Sequence, residues 1–165
     1  MINIGNKGAT KIYELLLAPG GVNTMIAAVS QASNVSLPSI PENHFFLDNV
    51  SSELAEKAGE AKYTAVYVYC EKIANLLTEK FRTFSGHVQL AMEVRFSQDR
   101  LEGMDQRLQL YVDALSQTLT NSRGDWGLGL YYSGGYEATF SAVKHGGRNF
   151  IKVAKIVFRV DASVD

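Results

Sequence analysis

The clearest pattern of hydrophobic and polar positions lies between residues 87 and 120. It opens with an alternation in which large apolar residues occupy one parity and polar residues the other, interrupted only by Ala91. Because side chains alternate between the two faces of a β-strand, this stretch predicts a half-buried strand. The apolar parity comprises Val88, Leu90, Met92, Val94 and Phe96, and the polar parity comprises His87, Gln89, Glu93 and Arg95.

The period then changes to that of a helix. Apolar residues recur at intervals of three and four, which is typical of the buried stripe of an amphipathic helix. Asp99 and Glu102 have the spacing of a capping box at its start, and Gly124 is expected to end it. The stripe comprises Leu101, Met104, Leu108, Val112, Leu115 and Leu119. The two patterns together predict a helix laid on a sheet.

The first 62 residues differ in character from the rest. Residues 1–8 are polar and contain glycine, so we expect them to be loose. Short helices are predicted over residues 10–18 and 22–33, followed by a proline-containing loop over 34–42. Residues 44–47 fit either a short strand or an anchoring peptide, and Ser51 or Ser52 is expected to cap a short helix that stops at Gly59. We therefore expect a helical N-terminal arm and linker over 1–62.

Residues 63–165 are predicted to form the main domain. Residues 63–70 are apolar at both parities, which indicates a strand covered on both faces. One long helix supplies only one cover, so the second comes either from the short helices of residues 10–33 or from a neighbouring subunit. Residues 71–78 fit either a short helix or a continuation of that strand, and the long strand is expected over 81–96.

The last third of the chain has the turn signals of a β-meander. Residues 126–132 place large side chains at even positions, while Gly127 and Gly129 leave the other face bare, which often marks a close approach of another element. Turns at 133–135 and 144–149 separate this strand from strands predicted over 136–143 and 150–160. The fold class is α+β: an antiparallel or mixed β-sheet with one long amphipathic helix packed across it, plus the helical N-terminal arm.

Composition narrows the function classes. A chain of 165 residues with net charge −1 indicates one compact domain with an appended arm, and gives no bulk electrostatic case for binding nucleic acid or a membrane. Cys70 is the single cysteine, which excludes an intrachain disulfide and fits a reducing cytosol. The sequence has no run of about 18 apolar residues. It also has no signal-peptide pattern at its start, so we expect neither a membrane span nor a leader.

Candidate chemistry is sparse. His44, His87 and His145 lie in different predicted elements without a neighbour at metal-ligand spacing, which argues against a zinc site. Residues 144–148 look superficially like a phosphate loop, but they lack its glycine spacing and following helix, so a basic-rimmed hairpin turn is the better interpretation. Residues 97–100 favour helix capping over acid–base chemistry. We expect no catalytic residue, no cofactor and no metal, and therefore not an enzyme.

Several of these elements resemble the tail-terminator and related neck (head–tail joining) proteins of long-tailed bacteriophages. The resemblance covers roughly residues 63–160, and the order of elements carries as much of it as any motif. Residues 1–62 do not match well. The residues that carry it are the strand 67–70, Phe84-Ser85-Gly86, Arg95-Phe96-Ser97, the helix 101–119, the turn at Ser133-Gly134-Gly135-Tyr136, and residues 144–150 at the start of the last strand.

The resemblance implies a structural virion protein. Such proteins form a ring, usually a hexamer, that caps the tail tube, stops its polymerisation and presents the surface to which the head's connector joins. For this chain the implied partners are further copies of itself, the tail tube protein and a head-completion or connector protein. Genomic DNA would pass through the lumen with weak, non-specific contact at most, and no membrane is involved. The implied location is the tail or neck of the virion, assembled in the host cytoplasm.

In the ring-forming domain, residues 63–165, the sheet edges and the glycine-faced strand 126–132 are expected to build the contacts between subunits. The polar turn 144–149 is expected to face a tube or connector partner. Cyclic symmetry closes a ring when a heterologous interface repeats through a closing rotation. The interface candidates are Trp126, Gly127, Gly129, Tyr131, Lys144, His145 and Arg148.

Three alternative functions compete with this one. The chain fits another neck, head-completion or tail-tube component. It also fits a small-molecule-binding or enzymatic α+β domain, which requires an enclosed pocket with convergent polar groups. A nucleic-acid-binding module requires a basic, aromatic-lined face, and the balanced charge argues against it.

Overall fold

The computed structural model describes residues 3–59 and 61–165, and its architecture is α+β. Within those residues, four α-helices accompany one mixed sheet of eight strands. The helices are α1 (Ile4–Leu17), α2 (Val22–Ser33), α3 (Ser52–Lys57) and α4 (Met104–Asn121). The strands are β1 (Phe45–Phe46), β2 (Ala65–Asn75), β3 (Phe84–Gln98), β4 (Gly124–Gly127), β5 (Leu130–Tyr132), β6 (Glu137–Phe140), β7 (Lys144–Gly146) and β8 (Asn149–Val164).

Two long antiparallel strands, β3 and β8, form the centre of the sheet. They pair along their whole length, from Phe84 opposite Val164 to Gln98 opposite Phe150. β2 pairs antiparallel with the free side of β3, so residues 71–75 continue the strand. β1 adds two residues parallel to β2, which makes the sheet mixed.

The far side of β8 is lined by three short strands in succession. β7, β6 and β5 each pair antiparallel with a different part of β8, and β4 pairs with β5. The expected three-stranded meander is therefore wrong. The segment around Gly134 does not turn the chain back on itself; it carries the chain along the edge of β8, which at 16 residues is long enough for three partners.

One face of the sheet packs against α1 and α4, and α2 packs on α4. The predicted alternation of β3 is confirmed, because its apolar parity is buried in one core cluster together with the stripe of α4 from Met104 to Leu119. Leu101 does not belong to that stripe, since it precedes the helix and is 57 % exposed. α1 and α2 add their apolar side chains to the same cluster, so the helices of the N-terminal arm share the core of the sheet. Members that are 0 or 1 % exposed include Ile12, Leu16, Val22, Ile26, Leu90, Met92, Leu108, Leu115 and Leu119.

The first helix begins at Ile4, inside the stretch that we expected to be loose; Met1 and Ile2 lie outside the described residues. Its small residues explain the error. A Cβ atom on Gly5 would lie 2.7 Å from the Cys70 sulfur, and one on Gly8 would lie 3.2 Å from a Leu90 methyl group. Here glycine lets the helix approach the sheet closely, so a glycine-containing start conceals a packed helix face.

The second face of the sheet is only partly covered. Ala65, Tyr67 and Tyr69 of β2 form a small second cluster with Ala91, and Phe46 and Val50 pack against it. The second apolar face of β2 is therefore covered locally by the same chain, through the segment around β1. Over β3 and β8 this face is mostly polar.

The ends of α4 differ from the prediction. Asp99 and Glu102 do not form a capping box; the N-cap is Gly103, whose φ is 71°, and it has no side-chain cap. The Gln98 amide instead donates to the carbonyls of Arg100 and Glu102, at 2.6 and 2.7 Å. At the other end the helix stops before Ser122, two residues ahead of Gly124, which opens β4. The Ser51 cap of α3 is confirmed by a 3.2 Å hydrogen bond from the Leu54 amide.

Candidate interaction surfaces

One end of the sheet carries a concentration of exposed apolar side chains. The β2–β3 hairpin presents Leu76 and Leu77, each at least 60 % exposed, and Phe81, which is fully exposed. The neighbouring β4–β5 hairpin presents Leu128 and Tyr131, 63 and 52 % exposed. Leu76 and Tyr131 line the same shallow cavity of about 450 Å³, so the two hairpins are adjacent. We call these five residues the apolar end.

Three residues of the apolar end also have a strained backbone. Leu77, Phe81 and Leu128 have φ values of 50°, 64° and 58°, in the left-handed region. The other non-glycine residues with positive φ in the described part of the chain are two asparagines, Asn3 and Asn34, a residue type that tolerates this conformation. A large apolar residue in the left-handed conformation destabilises the fold by roughly 1–2 kcal/mol. Because its side chain is exposed, it contributes little burial energy to offset that cost.

Polar side chains hold the β2–β3 hairpin in place. The Ser163 hydroxyl donates to Glu79 at 2.8 Å, and the Arg82 guanidinium bridges Glu79 and Asp165 at 3.4 and 2.6 Å. The Glu79 amide donates to the Ser85 hydroxyl at 3.0 Å. These bonds tie the hairpin to the end of β8 through its polar residues, which leaves its apolar residues facing outward.

The opposite end of β8 carries basic side chains. Lys144 donates to the Ser52 hydroxyl at 3.0 Å and lies 3.6 Å from Glu56, so α3 holds it. His145 packs edge-on against the Phe150 ring, with centroids 5.7 Å apart, and Arg148 is exposed in the turn. Tyr131 pairs with Asp161 and Lys144 pairs with Ile151, and these two partners lie ten residues apart on β8. Ten strand residues correspond to roughly 33 Å, so the two groups of predicted interface residues lie at opposite ends of the sheet.

The predicted glycine-faced strand is instead a tight hairpin. Gly127 and Gly129 both have φ of 77° and form the turn between β4 and β5. A Cβ atom on Gly129 would overlap the Ser163 carbonyl oxygen, so the close approach that bare glycines signal occurs within this chain. Trp126 is 6 % exposed and donates its indole N–H to the Ser122 carbonyl at 2.7 Å. Its side chain therefore belongs to the core, and an interface role for these three residues stays a prediction.

The exposed hairpin residues Leu76, Leu77 and Phe81 were missed by sequence reasoning. Residues 71–78 fit both a helix and a strand, so the end of β2 was not located. The available signal was the placement of large apolar residues beside Glu79, Lys80 and Arg82, since charged neighbours mark an exposed loop.

A polar network covers the second face of the sheet. The Tyr69 hydroxyl donates to Glu93 at 2.9 Å, and the Arg95 Nε donates to the same carboxylate at 3.3 Å. Arg95 is 2 % exposed, stacks 3.7 Å from the Tyr67 ring centroid and donates to the Val50 carbonyl. Its Nη1 is buried without a partner in the described structure. Arg95 thus anchors the segment after β1 onto the sheet, which is a structural role.

Two groups of this face have shifted pKa values. Burial acts to raise the pKa of Glu71, but hydrogen bonds from Lys155 and Gln89 outweigh it and hold the pKa below its usual range. Burial and the neighbouring Glu93 carboxylate raise the pKa of the Tyr69 hydroxyl well above its usual value. Both shifts favour the protonation states present at neutral pH, an ionised Glu71 and a neutral Tyr69.

The described residues contain no group of three or more histidine, cysteine or acidic side chains placed to hold a metal ion. Over the same residues no single helix is long and apolar enough to cross a membrane, and α1 with α2 passes that test only as a bent pair.

Comparisons with known proteins return a distant structural likeness. No protein-family profile matches the chain, and no curated protein sequence matches it. Among solved structures, a chain described as "Virion of native gene transfer agent (GTA) particle" aligns with a TM-score of 0.44 and 11 % identity, over 98 % of this chain and 99 % of that one.

Proposed function

We propose that the chain is a structural protein of a phage-like virion, and that it forms a ring in the manner of the tail terminators its sequence resembles. The observation that carries the proposal is the apolar end. Leu77, Phe81 and Leu128 are both exposed and held in left-handed conformations, so the isolated fold gains nothing from their being large and apolar. Burial against a partner supplies the missing energy, roughly 1.5–3 kcal/mol for each side chain.

The two ends of the sheet suit two different neighbours. The strands β3 and β8 run from the apolar end to the basic end at Lys144 and Arg148, so one subunit presents unlike surfaces along one axis. In a ring whose axis follows these strands, one end stacks on the tail tube and the other on the connector of the head. The ring would cap the tube, stop its polymerisation and leave a hole for genomic DNA.

The test is assembly beside the tube protein. The full chain is purified alone and after co-expression with the tube protein of the same particle, then analysed by sedimentation velocity and negative-stain electron microscopy. We expect the chain to form rings, either alone at high concentration or in the presence of tube protein. With tube protein, we also expect tubes of limited length that carry one ring at an end. A chain that remains monomeric in both settings, with unlimited tube growth, would refute the proposal.

A further inference from the structure

The sheet has two open edges on opposite sides. Along the described chain, β6 pairs only with β8, and β2 beyond Tyr67 pairs only with β3, because β1 ends at Phe46 opposite Tyr67. The outward N–H and C=O groups of an unpaired edge are a template for another strand. Natural sheets usually guard such edges with lysine, proline or a covering loop.

The edge at β6 carries neither lysine nor proline. Residues 137–143 contain one charged residue, Glu137, and no lysine or proline. The Ser141 amide donates to the Val153 carbonyl at 2.8 Å, which identifies this pair as hydrogen-bonded. Because hydrogen-bonded and non-hydrogen-bonded pairs alternate in an antiparallel ladder, the amides of Ala138 and Phe140 point to the open side.

The geometry points to a second copy of this chain as the occupant: β6 of one copy pairs antiparallel with the open edge of β2, residues 68–75, in the next copy. The direction follows from the sheet. β2 is antiparallel to β3, β3 to β8 and β8 to β6, so β6 and β2 run in opposite directions. When copies join side by side with the same face toward the helices, these two edges meet as an antiparallel pair.

Charge and apolar side chains on the two edges match. Lys72 lies opposite Gln89 and Glu137 opposite Val157, so both point to the second face. Both are exposed, and neither has an ion-pair partner among the residues that the structure describes. A register that places Lys72 opposite Glu137 also places Ile73 opposite Tyr136, and these two apolar side chains are 50 and 46 % exposed.

The irregularity in β2 fits a closed assembly. Its pairing with β3 shifts between Cys70 and Lys72, which marks a β-bulge. Bulges bend a strand and increase its twist, and they are common at the rims of barrels. A bent edge strand therefore lets successive sheets curve around an axis instead of extending in a plane.

This inference rests on the proposed ring, and a charge swap tests it separately. Lys72→Glu and Glu137→Lys each place like charges across the contact and should weaken self-association about fivefold, whereas the double exchange should restore it. Lys57→Glu is the matched control, an exposed lysine of α3 without an ion-pair partner among the described residues. Sedimentation equilibrium of the full chain gives the association constants.

Amide hydrogen exchange in the unmodified protein gives a second readout that does not depend on any variant folding. The amides of Ala138 and Phe140 should exchange rapidly in the monomer and slowly in the assembly, while those of Thr139 and Ser141 are protected in both. The edge pairing would be overturned if rings form while the amides of Ala138 and Phe140 stay unprotected and the double exchange fails to restore self-association. That result would leave the proposed function intact. A chain that never self-associates, even beside tube protein, would overturn both.

Discussion

Replacing Phe81 with asparagine should make the isolated chain more stable and its assembly weaker. Phe81 is fully exposed and has a φ of 64°, so its ring contributes no burial to the fold while its backbone is strained. The left-handed conformation costs an ordinary residue roughly 1–2 kcal/mol, and asparagine adopts it more readily. We therefore expect the free energy of unfolding to rise by about 1 kcal/mol.

The effect on assembly has the opposite sign. If Phe81 is buried against a partner, its ring contributes roughly 1.5–3 kcal/mol to each contact. Removing that contribution should weaken association about 10-fold to 150-fold, since each 1.4 kcal/mol is a factor of ten. A rise in folding stability together with a loss of association identifies a binding residue. Loss of a structural residue would instead lower both the folding stability and the association.

Guanidinium unfolding measures the first effect, and sedimentation velocity with and without tube protein measures the second. The matched control is Leu101→Asn. Leu101 is 57 % exposed, follows β3 at the other end of the sheet and is not among the residues with positive φ. A drop in the stability of the Phe81 variant, or equal loss of assembly in the Leu101 control, would refute the reasoning.

Three further predictions concern the sheet. Gly86→Ala should cost roughly 1–3 kcal/mol in denaturant unfolding, because its Cβ would overlap the Ala74 carbonyl oxygen and force β2 away from β3; an unchanged midpoint would contradict that contact. Glu71 has a lowered pKa, so its stabilisation is present above about pH 4.3 and is lost as the pH falls through the folded-state pKa. Glu71→Gln should flatten the acid limb of the pH–stability curve, and an unaltered limb would exclude this role. Tyr69 has a raised pKa, so its stabilisation is present below about pH 10 and is lost as the pH rises toward the folded-state pKa. Tyr69→Phe should reduce the loss of stability above that pH; the same steep loss in the variant would count against it.

The core of the fold was predictable because burial dictates it. The alternation of residues 87–96 and the stripe of α4 each satisfy one geometric requirement, that apolar side chains meet on one face. Helix ends were less predictable, since several polar groups compete for the same backbone partners. Gln98 occupies carbonyls near the start of α4, and Gly103 takes the capping position expected for Asp99.

The order of strands and the partner surfaces depend on information that no local pattern contains. The turns after β5 and β6 look like hairpin turns, and only the length of β8 reveals that they carry the chain along one edge. Trp126 next to Gly127 resembles an interface anchor, but its contacts with Tyr132 and Phe158 place it in the core. The exposure and backbone conformation of Leu77 and Phe81 arise from the hairpin fold, so composition alone could not distinguish them from core residues.

The surfaces of the molecule divide according to what the helices leave uncovered. Because α1 and α4 pack on one face of the sheet, with α2 packed on α4, the helices cover that face and leave the ends and edges open in the part of the chain that the structure describes. Each opening has its own chemistry: apolar at the β2–β3 hairpin, basic at the β7–β8 turn, and unpaired backbone along β2 and β6. A subunit with lateral edges of opposite direction and two unlike ends can join copies around an axis while contacting different neighbours above and below.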